Sequence, residues 1–248
     1  MPMRFGSRVF TPRPFTTLLT IVLIVMLLSL GRWQLNRADE KRVLFDAFAA
    51  GTDATQTVDL GSRHLPRYQH IQAGGQYDST QQVLIDNMSN ALGQAGYFVI
   101  TPFKLTGGGW ILVNRGWVPV GADRGVRPPI EVSSETRQLH GRTDNLPRPG
   151  IQMGDRTALA PPYPIVANFP THAEIARLLP GSSWSAAAEV VLLDAGEPDG
   201  YLRQWTAPGF PPMRHVAYAV QWFALALTLA VIYAVTNLKL RSSKEVAS

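Results

Sequence analysis

The feature that most constrains this chain is a run without any charged residue near its C-terminus, from Val216 to Leu238. At about 1.5 Å of rise per residue, a helix of this length spans roughly 30 Å or a little more, which is enough to cross the hydrocarbon core of a bilayer. A second uncharged run, from Phe15 to Gly31, lies near the N-terminus. We therefore predict two transmembrane helices, over residues 15–35 and 215–238.

A cleaved signal peptide is the alternative interpretation of the N-terminal run. Signal peptides carry small residues at a cleavage site directly after the apolar core. In this chain Arg32 and Trp33 follow Gly31 instead, which is typical of a membrane interface. We therefore expect an uncleaved anchor.

The net charge of +5 is confined to the two ends of the chain. Residues 1–14 carry three arginines and no acidic residue, residues 239–248 carry three basic residues and one acidic residue, and residues 32–214 are neutral. Short basic flanks stay on the cytoplasmic side of a membrane. We expect 1–14 and 239–248 to be cytoplasmic tails and 36–214 to be an extracytoplasmic domain, in a bacterial-type plasma (inner) membrane.

Composition argues against several classes of function. The neutral middle of the chain has no basic stripe with interleaved aromatic residues, so we do not expect nucleic-acid binding. The absence of cysteine excludes disulfides, thiolate zinc sites and covalent attachment of c-type heme. No nucleophile elbow, zinc-protease motif or phosphate-binding loop occurs. We therefore predict that the protein is not an enzyme.

The segment between the spans has the pattern of a β-rich domain. Short runs of β-branched and aromatic residues separated by Gly/Pro turns predict strands at 68–77, 82–87, 96–103, 110–119, 136–142 and 189–194. The third and fourth predict a β-hairpin, and Gly74-Gly75 predicts a bulge or bend that interrupts the first. The expected fold is two transmembrane α-helices flanking an antiparallel barrel- or sandwich-like α+β domain.

Three other segments carry weaker predictions. Residues 32–50 contain few helix breakers and have apolar positions near helical spacing, so they are expected to continue the first helix. Residues 172–179 predict one or two helical turns. The proline-broken residues 1–14 predict an unstructured tail.

The most polar strand segment is Asn114-Arg115-Gly116-Trp117. Alternation along a strand places Asn114 and Gly116 on one face and Arg115 and Trp117 on the other. Two interpretations stay open. The segment is an edge strand whose arginine stacks on a nearby aromatic ring, or it is a surface that contacts a partner.

His215 stands at the leading edge of the second apolar run. At about 100° per residue, His215, Tyr218 and Trp222 lie within roughly 60° of one another on the helix. Ala219 and Ala226 on this side leave room for a flat group. Neutral imidazole is an axial ligand of heme iron, and an aromatic pocket suits the macrocycle. The alternative is an aromatic belt at the headgroup level with a hydrated histidine.

Four motifs occur in order along the chain: Gly31-Arg-Trp-Gln-Leu-x-Arg37, Gly96-Tyr-Phe-Val-Ile-Thr-Pro102, Val113-Asn-Arg-Gly-Trp-Val-Pro119 and His215-x-x-Tyr-x-x-x-Trp222. Together with the two spans, they resemble the Surfeit locus protein 1 family, membrane assembly factors for cytochrome c oxidase. The resemblance covers most of the chain but not residues 145–185.

This resemblance implies a factor that binds or delivers heme a during maturation of the largest oxidase subunit. The implied ligand of the heme iron is His215, with Tyr218 and Trp222 beside it. The candidate partner contacts are Asn114, Arg115, Trp117 and Trp33. The alternative is a non-heme scaffold that stabilises an oxidase assembly intermediate through the extracytoplasmic domain. The largest oxidase subunit is the expected partner, and the heme a synthesis machinery and a second copy of the chain are further candidates.

Overall fold

The computed structural model describes residues 3–5, 8–50, 54–149, 159–179 and 182–240. They form two units: a helical unit of residues 1–46 and 207–248, and a β domain of residues 47–206. In chain order the elements are β1 (Met3–Phe5), β2 (Arg8–Phe10), α1 (Pro14–Ala50), β3 (Gln56–Thr57), β4 (His70–Tyr77), β5 (Val83–Ser89), β6 (Ala95–Leu105), β7 (Trp110–Pro119), β8 (Arg137–Asp144), β9 (Ile165–Ala167), α2 (His172–Ala176), β10 (Val190–Leu193), α3 (Pro212–Asn237) and β11 (Leu238–Leu240).

Helices α1 and α3 are both long and apolar enough to cross a membrane. Each begins at a proline, whose fixed φ angle suits the first position of a helix. The 37 residues of α1 extend roughly 55 Å, well beyond a bilayer core of about 30 Å. As the spacing of apolar residues predicted, the first helix continues without a break through residues 32–50. The predicted fold class, two candidate transmembrane helices flanking a β-rich domain, is confirmed.

Small residues bring α1 and α3 close together. A Cβ atom built on Gly31 would lie 2.5 Å from the ring of Phe223, so the ring occupies the space that any side chain would need. Ala219 and Ala226 are 0% and 4% exposed. At the other end of the pair, the hydroxyl of Thr17 lies 2.5 Å from that of Tyr233. The earlier residue of α1, Thr17, contacts the later residue of α3, Tyr233, and the later residue Gly31 contacts the earlier residue Phe223. The two helices are therefore antiparallel.

The predicted unstructured tail at residues 1–14 is wrong in part. Strand β2 pairs antiparallel with both β1 and β11, with Phe10 opposite Leu238. The physical reason is the antiparallel arrangement of α1 and α3, which places the start of one helix beside the end of the other. The backbone N–H of Thr11 donates to the carbonyl of Asn237 at 3.0 Å.

The centre of the β domain is a closed five-stranded barrel. Its strands follow the order β4-β8-β10-β7-β6, and β6 pairs back onto β4. Four of the five pairings are antiparallel, and β7 and β10 are parallel. Closure satisfies the edges that an open sheet would expose. The sequence left a barrel and a sandwich as alternatives, and the structure is a barrel.

Strand β6 is long enough to serve two neighbours along one edge. Its end pairs with β4 and its beginning with β5, which in turn pairs with β9 outside the barrel. The predicted interruption of β4 at Gly74-Gly75 is wrong, because β4 stays in continuous register with β8. Gly75 serves a close approach instead. A Cβ atom there would lie 2.1 Å from the carbonyl oxygen of Lys104.

The core of the β domain follows from this arrangement. One buried cluster fills the barrel, with Ile71, Phe103 and Leu139 all essentially inaccessible. A second packs the outer strands and α2 against the barrel wall. The predicted helical turns over residues 172–179 form a shorter helix. It begins with a capping box between Thr171 and Glu174 and ends at Ala176.

Candidate functional site

The segment Asn114–Trp117 lies in the barrel wall. Strand β7 has β6 on one side and β10 on the other, so the edge-strand interpretation is wrong. Asn114, Arg115 and Trp117 are 2%, 1% and 7% exposed. None of the three presents its side chain on the outer surface of the β domain. Their predicted partner contact stays a prediction that this geometry does not favour.

A β-bulge sets the direction of these side chains. Phe98 faces Trp117 and Ile100 faces Asn114, so two residues of β7 oppose one residue of β6. Gly116 has φ +115°, a conformation that favours glycine. The predicted alternation is therefore wrong at this point. Asn114 and Trp117 line the same cavity of about 290 Å³, whereas Arg115 points elsewhere.

The guanidinium of Arg115 is buried among neutral acceptors. Nε donates to the carbonyl of Asp199 at 2.8 Å, and Nη1 donates to Oε1 of Gln82 at 2.9 Å. The carbonyls of Ile130 and Glu131 accept at 3.1 and 3.0 Å. Burial lowers the pKa of Arg115, but an arginine keeps its charge in a protein.

Two tyrosine rings flank the same guanidinium. Its central carbon lies 5.0 Å from the ring centre of Tyr201 and 5.6 Å from that of Tyr77. Burial raises the pKa of Tyr77 to about 12, although Arg115 and Arg137 act in the opposite direction. Tyr77 therefore stays neutral. An arginine stacked on aromatic rings was one of the two interpretations of this segment.

The contacts of Arg115 hold the chain that leads from the barrel to α3, here called the return segment (residues 194–206). Arg137 forms an ion pair with the carboxylate of Asp199. Arg203 donates to the carbonyls of Asp194 and Glu197. The bulge itself contributes, because the N–H of Tyr201 donates to the carbonyl of Arg115 at 2.7 Å. The motif around Arg115 thus anchors the return segment.

In the helical unit, His215 lies in the first turn of α3 and is half-buried. Its Nδ1 lies 2.9 Å from Oε1 of Gln34 on α1. A carbonyl oxygen can only accept, so with this orientation of the Gln34 amide Nδ1 is the donor, and a neutral ring then keeps its lone pair on Nε2. Gln34 belongs to the motif that begins at Gly31, but its role was missed, because a sequence does not reveal the register of two packed helices.

The other predicted residues of the helical unit, two heme contacts and one partner contact, lie in different environments. Trp222, two turns further along α3, is half-buried, whereas Tyr218 is 46% exposed. Trp33 is 57% exposed. The expectation that Ala219 and Ala226 leave room for a flat group is wrong, because both are buried and their small size serves close packing.

The nitrogen donor chemistry of the helical unit would suit heme iron, which His215 would hold. His215 is the one histidine in the sequence of this unit, and its Nε2 has no hydrogen-bond partner among the described residues. Neutral imidazole is a common axial ligand of heme iron. Further along α3, exposed apolar side chains such as Val220 and Leu225 suit a helix in a bilayer.

Comparison with known proteins agrees with this architecture. The model of the SURF1 family matches residues 21–227, which include the β domain, most of α1 and the first part of α3. A SURF1-like protein of Rickettsia felis is 32% identical over 105 residues, or 41% of this chain and 46% of the relative. A SURF1-like protein of Rickettsia bellii is 33% identical over 105 residues, or 41% and 43%. The aligned region thus spans less than half the length of these relatives, but the family match covers most of this chain. The chain therefore belongs to the SURF1 family.

Proposed function

We propose that this protein is an assembly factor for cytochrome c oxidase and that His215 binds the iron of heme a during maturation of the largest oxidase subunit. Family membership supports the general role in oxidase assembly. The single observation that carries the heme assignment is the contact between Nδ1 of His215 and Gln34 at 2.9 Å. In a neutral ring this contact leaves the lone pair on Nε2, where it can bind a metal.

The residues of the helical unit divide the work of holding such a group. His215 supplies a nitrogen ligand, and Gln34 keeps the proton on the opposite nitrogen. Trp222 supplies an aromatic surface two turns away, and the partly exposed Tyr218 supplies a second ring. Heme a, when bound, supplies the iron to which the nitrogen coordinates and the large apolar macrocycle.

The β domain has a separate role in this proposal, namely contact with the oxidase subunit on the outer side of the plasma membrane. The basic tails 1–14 and 239–248 support a cytoplasmic location of both termini. The barrel offers no constellation that suggests catalysis, and we propose a binding role without chemistry of its own. The non-heme scaffold remains the competing hypothesis, because it needs the β domain and the two anchors but not His215.

Titration with heme a distinguishes the two hypotheses. The full chain is purified in detergent or nanodiscs, and the Soret band is followed as heme a is added. We expect saturable binding by the wild type and loss of the axial-ligand signature in His215→Ala. His64→Ala is the matched control, because His64 is an exposed histidine of the β domain and should bind like the wild type. An unchanged spectrum in His215→Ala would contradict the assignment of the ligand.

A cellular assay tests the assembly role. In a strain that lacks the gene, each variant is expressed and the heme a content of the mature oxidase is measured, with oxidase subunit synthesis as the control. The proposal predicts low heme a content with His215→Ala and normal content with His64→Ala. Normal content with both variants would favour the scaffold.

A further inference from the structure

We infer that Gln34 is a positioning residue that selects the protonation form of His215 in which Nε2 is the iron ligand. This inference rests on the proposed function, since it gives a partner residue to the proposed heme ligand. Gln34 does not itself contact the iron. Its effect passes through the hydrogen bond between its side-chain oxygen and Nδ1 of His215.

The orientation of the Gln34 amide, with its oxygen towards the ring, points to one assignment of the proton. Neutral imidazole carries one proton, on Nδ1 or on Nε2, and the nitrogen without the proton is the one that can bind a metal. The Oε1 atom of Gln34 accepts hydrogen bonds and cannot donate them. Nδ1 lies 2.9 Å from this oxygen, so in this amide orientation Nδ1 is the donor. In proteins, such partners of metal-binding histidines fix the orientation of the ring and raise its basicity.

The surroundings of the pair strengthen the contact. Both side chains are half-buried, and a hydrogen bond is stronger in a medium of low dielectric constant than in water. An amide without a hydrogen-bond partner in an apolar environment costs free energy. This cost favours the hydrogen bond between the side-chain oxygen of Gln34 and His215.

Helix packing determines that Gln34 reaches His215. Gly31 lies one turn before Gln34 on α1 and packs directly against Phe223, two turns beyond His215 on α3. Ala219, between them on α3, is fully buried. Gly31, Ala219 and the flat ring of Phe223 allow the two helices to pack closely in one register. This register places Oε1 of Gln34 opposite Nδ1 of His215.

The proton on His215 can be observed in the full chain without heme. In ¹⁵N-histidine NMR spectra, the two nitrogens of a neutral ring have different shifts, and the His215 signals are assigned by comparison with His215→Ala. We expect the Nδ1–H form in the wild type and its loss in Gln34→Leu. Gln221→Leu is the matched control, because Gln221 is an exposed glutamine on α3. The Nε2–H form in the wild type, or the Nδ1–H form retained in Gln34→Leu, would overturn the inference.

The second measurement is heme a affinity together with the iron–histidine vibration in resonance Raman spectra. Loss of such a supporting hydrogen bond weakens metal binding by roughly tenfold to a hundredfold, which we expect for Gln34→Leu and not for Gln221→Leu. Gln34→Glu tests whether the side chain at position 34 accepts the hydrogen bond from Nδ1 of His215 or donates one to it. A carboxylate still accepts from Nδ1–H, so affinity should be kept and the iron–histidine frequency should rise. If Gln34→Glu behaved like Gln34→Leu, acceptance by this residue would be refuted.

Failure of this inference differs from failure of the proposed function. A wild-type protein that binds no heme a overturns both. If heme a binding requires His215 but has the same affinity and vibrational frequency in the wild type and in Gln34→Leu, only the role of Gln34 is overturned.

Discussion

Replacement of Arg115 by methionine is expected to destabilise the β domain by about 2–4 kcal/mol. Methionine retains most of the aliphatic stem and can pack between the rings of Tyr77 and Tyr201. The change therefore removes mainly the guanidinium and its hydrogen bonds. The side chain is 1% exposed, so water does not replace these bonds at the same place.

The magnitude follows from the four acceptors. A hydrogen bond to a charged group contributes about 1.5–3 kcal/mol, but an acceptor with a second donor is not fully orphaned. Oε1 of Gln82 keeps the hydroxyl of Thr101 at 2.8 Å, and the carbonyl of Ile130 keeps the amide of Gln82 at 3.0 Å. The other two carbonyls belong to Glu131 and Asp199, which are partly exposed and accessible to water. Relief of the desolvation of a buried charge offsets part of the loss. The sum is therefore well below four full hydrogen bonds.

The assay is urea unfolding of the full chain in detergent, followed by tryptophan fluorescence. Arg124→Met is the matched control, since Arg124 is 57% exposed and pairs with Asp86 at the surface, where an ion pair contributes about 0–1 kcal/mol. Trypsin provides a second readout. The peptide bond after Arg203 lies in the return segment, and it should be cleaved faster in Arg115→Met than in the wild type or in Arg124→Met.

Equal stability of Arg115→Met and Arg124→Met would refute the reasoning that the buried guanidinium holds the domain together. Equal rates of cleavage after Arg203 would refute its role in anchoring the return segment.

Two further predictions concern helix packing and pH. Gly31→Ala places a methyl group 2.5 Å from the ring of Phe223, and such overpacking typically costs about 1–3 kcal/mol. Thermal unfolding of the full chain should therefore occur at lower temperature, and Gly31→Ala combined with Phe223→Leu should recover part of the loss; no change in the single variant would contradict the close approach. Burial lowers the pKa of His172 below its ordinary 6.5, with a smaller opposing effect of Glu189. The folded state therefore favours the neutral ring, and the resulting stability is fully present above pH 6.5 and is lost as pH falls from 6.5 through the lower pKa of the folded state. Urea unfolding between pH 8 and pH 5 should show this loss in the wild type and less of it in His172→Gln, and parallel curves would contradict it.

The strands were predictable because their signal is local. Six predicted segments coincide with β4, β5, β6, β7, β8 and β10 to within two residues at each end. Strands β3 and β9 were missed. They have two and three residues, too few for a periodic pattern, and they form only because a neighbouring strand offers a free edge.

The environment of Arg115 was not predictable for a different reason. A charged residue in a strand with alternating pattern is expected at a surface, since burial of an unpaired charge is costly. The groups that make burial tolerable are Gln82 and backbone carbonyls at positions 130, 131 and 199, and the bulge at Gly116 turns Arg115 towards them. No pattern along the sequence brings these positions together.

The helical unit shows the same division. The sequence by itself determined that the chain has two candidate membrane-spanning helices, because length and the absence of charge indicate a bilayer span, and it singled out His215 at the start of the second helix. Tertiary structure alone decided which residue forms a hydrogen bond with the ring of His215. Gln34 is 181 positions away, and its side chain reaches Nδ1 because the contact of Gly31 with Phe223 sets the register of α1 on α3.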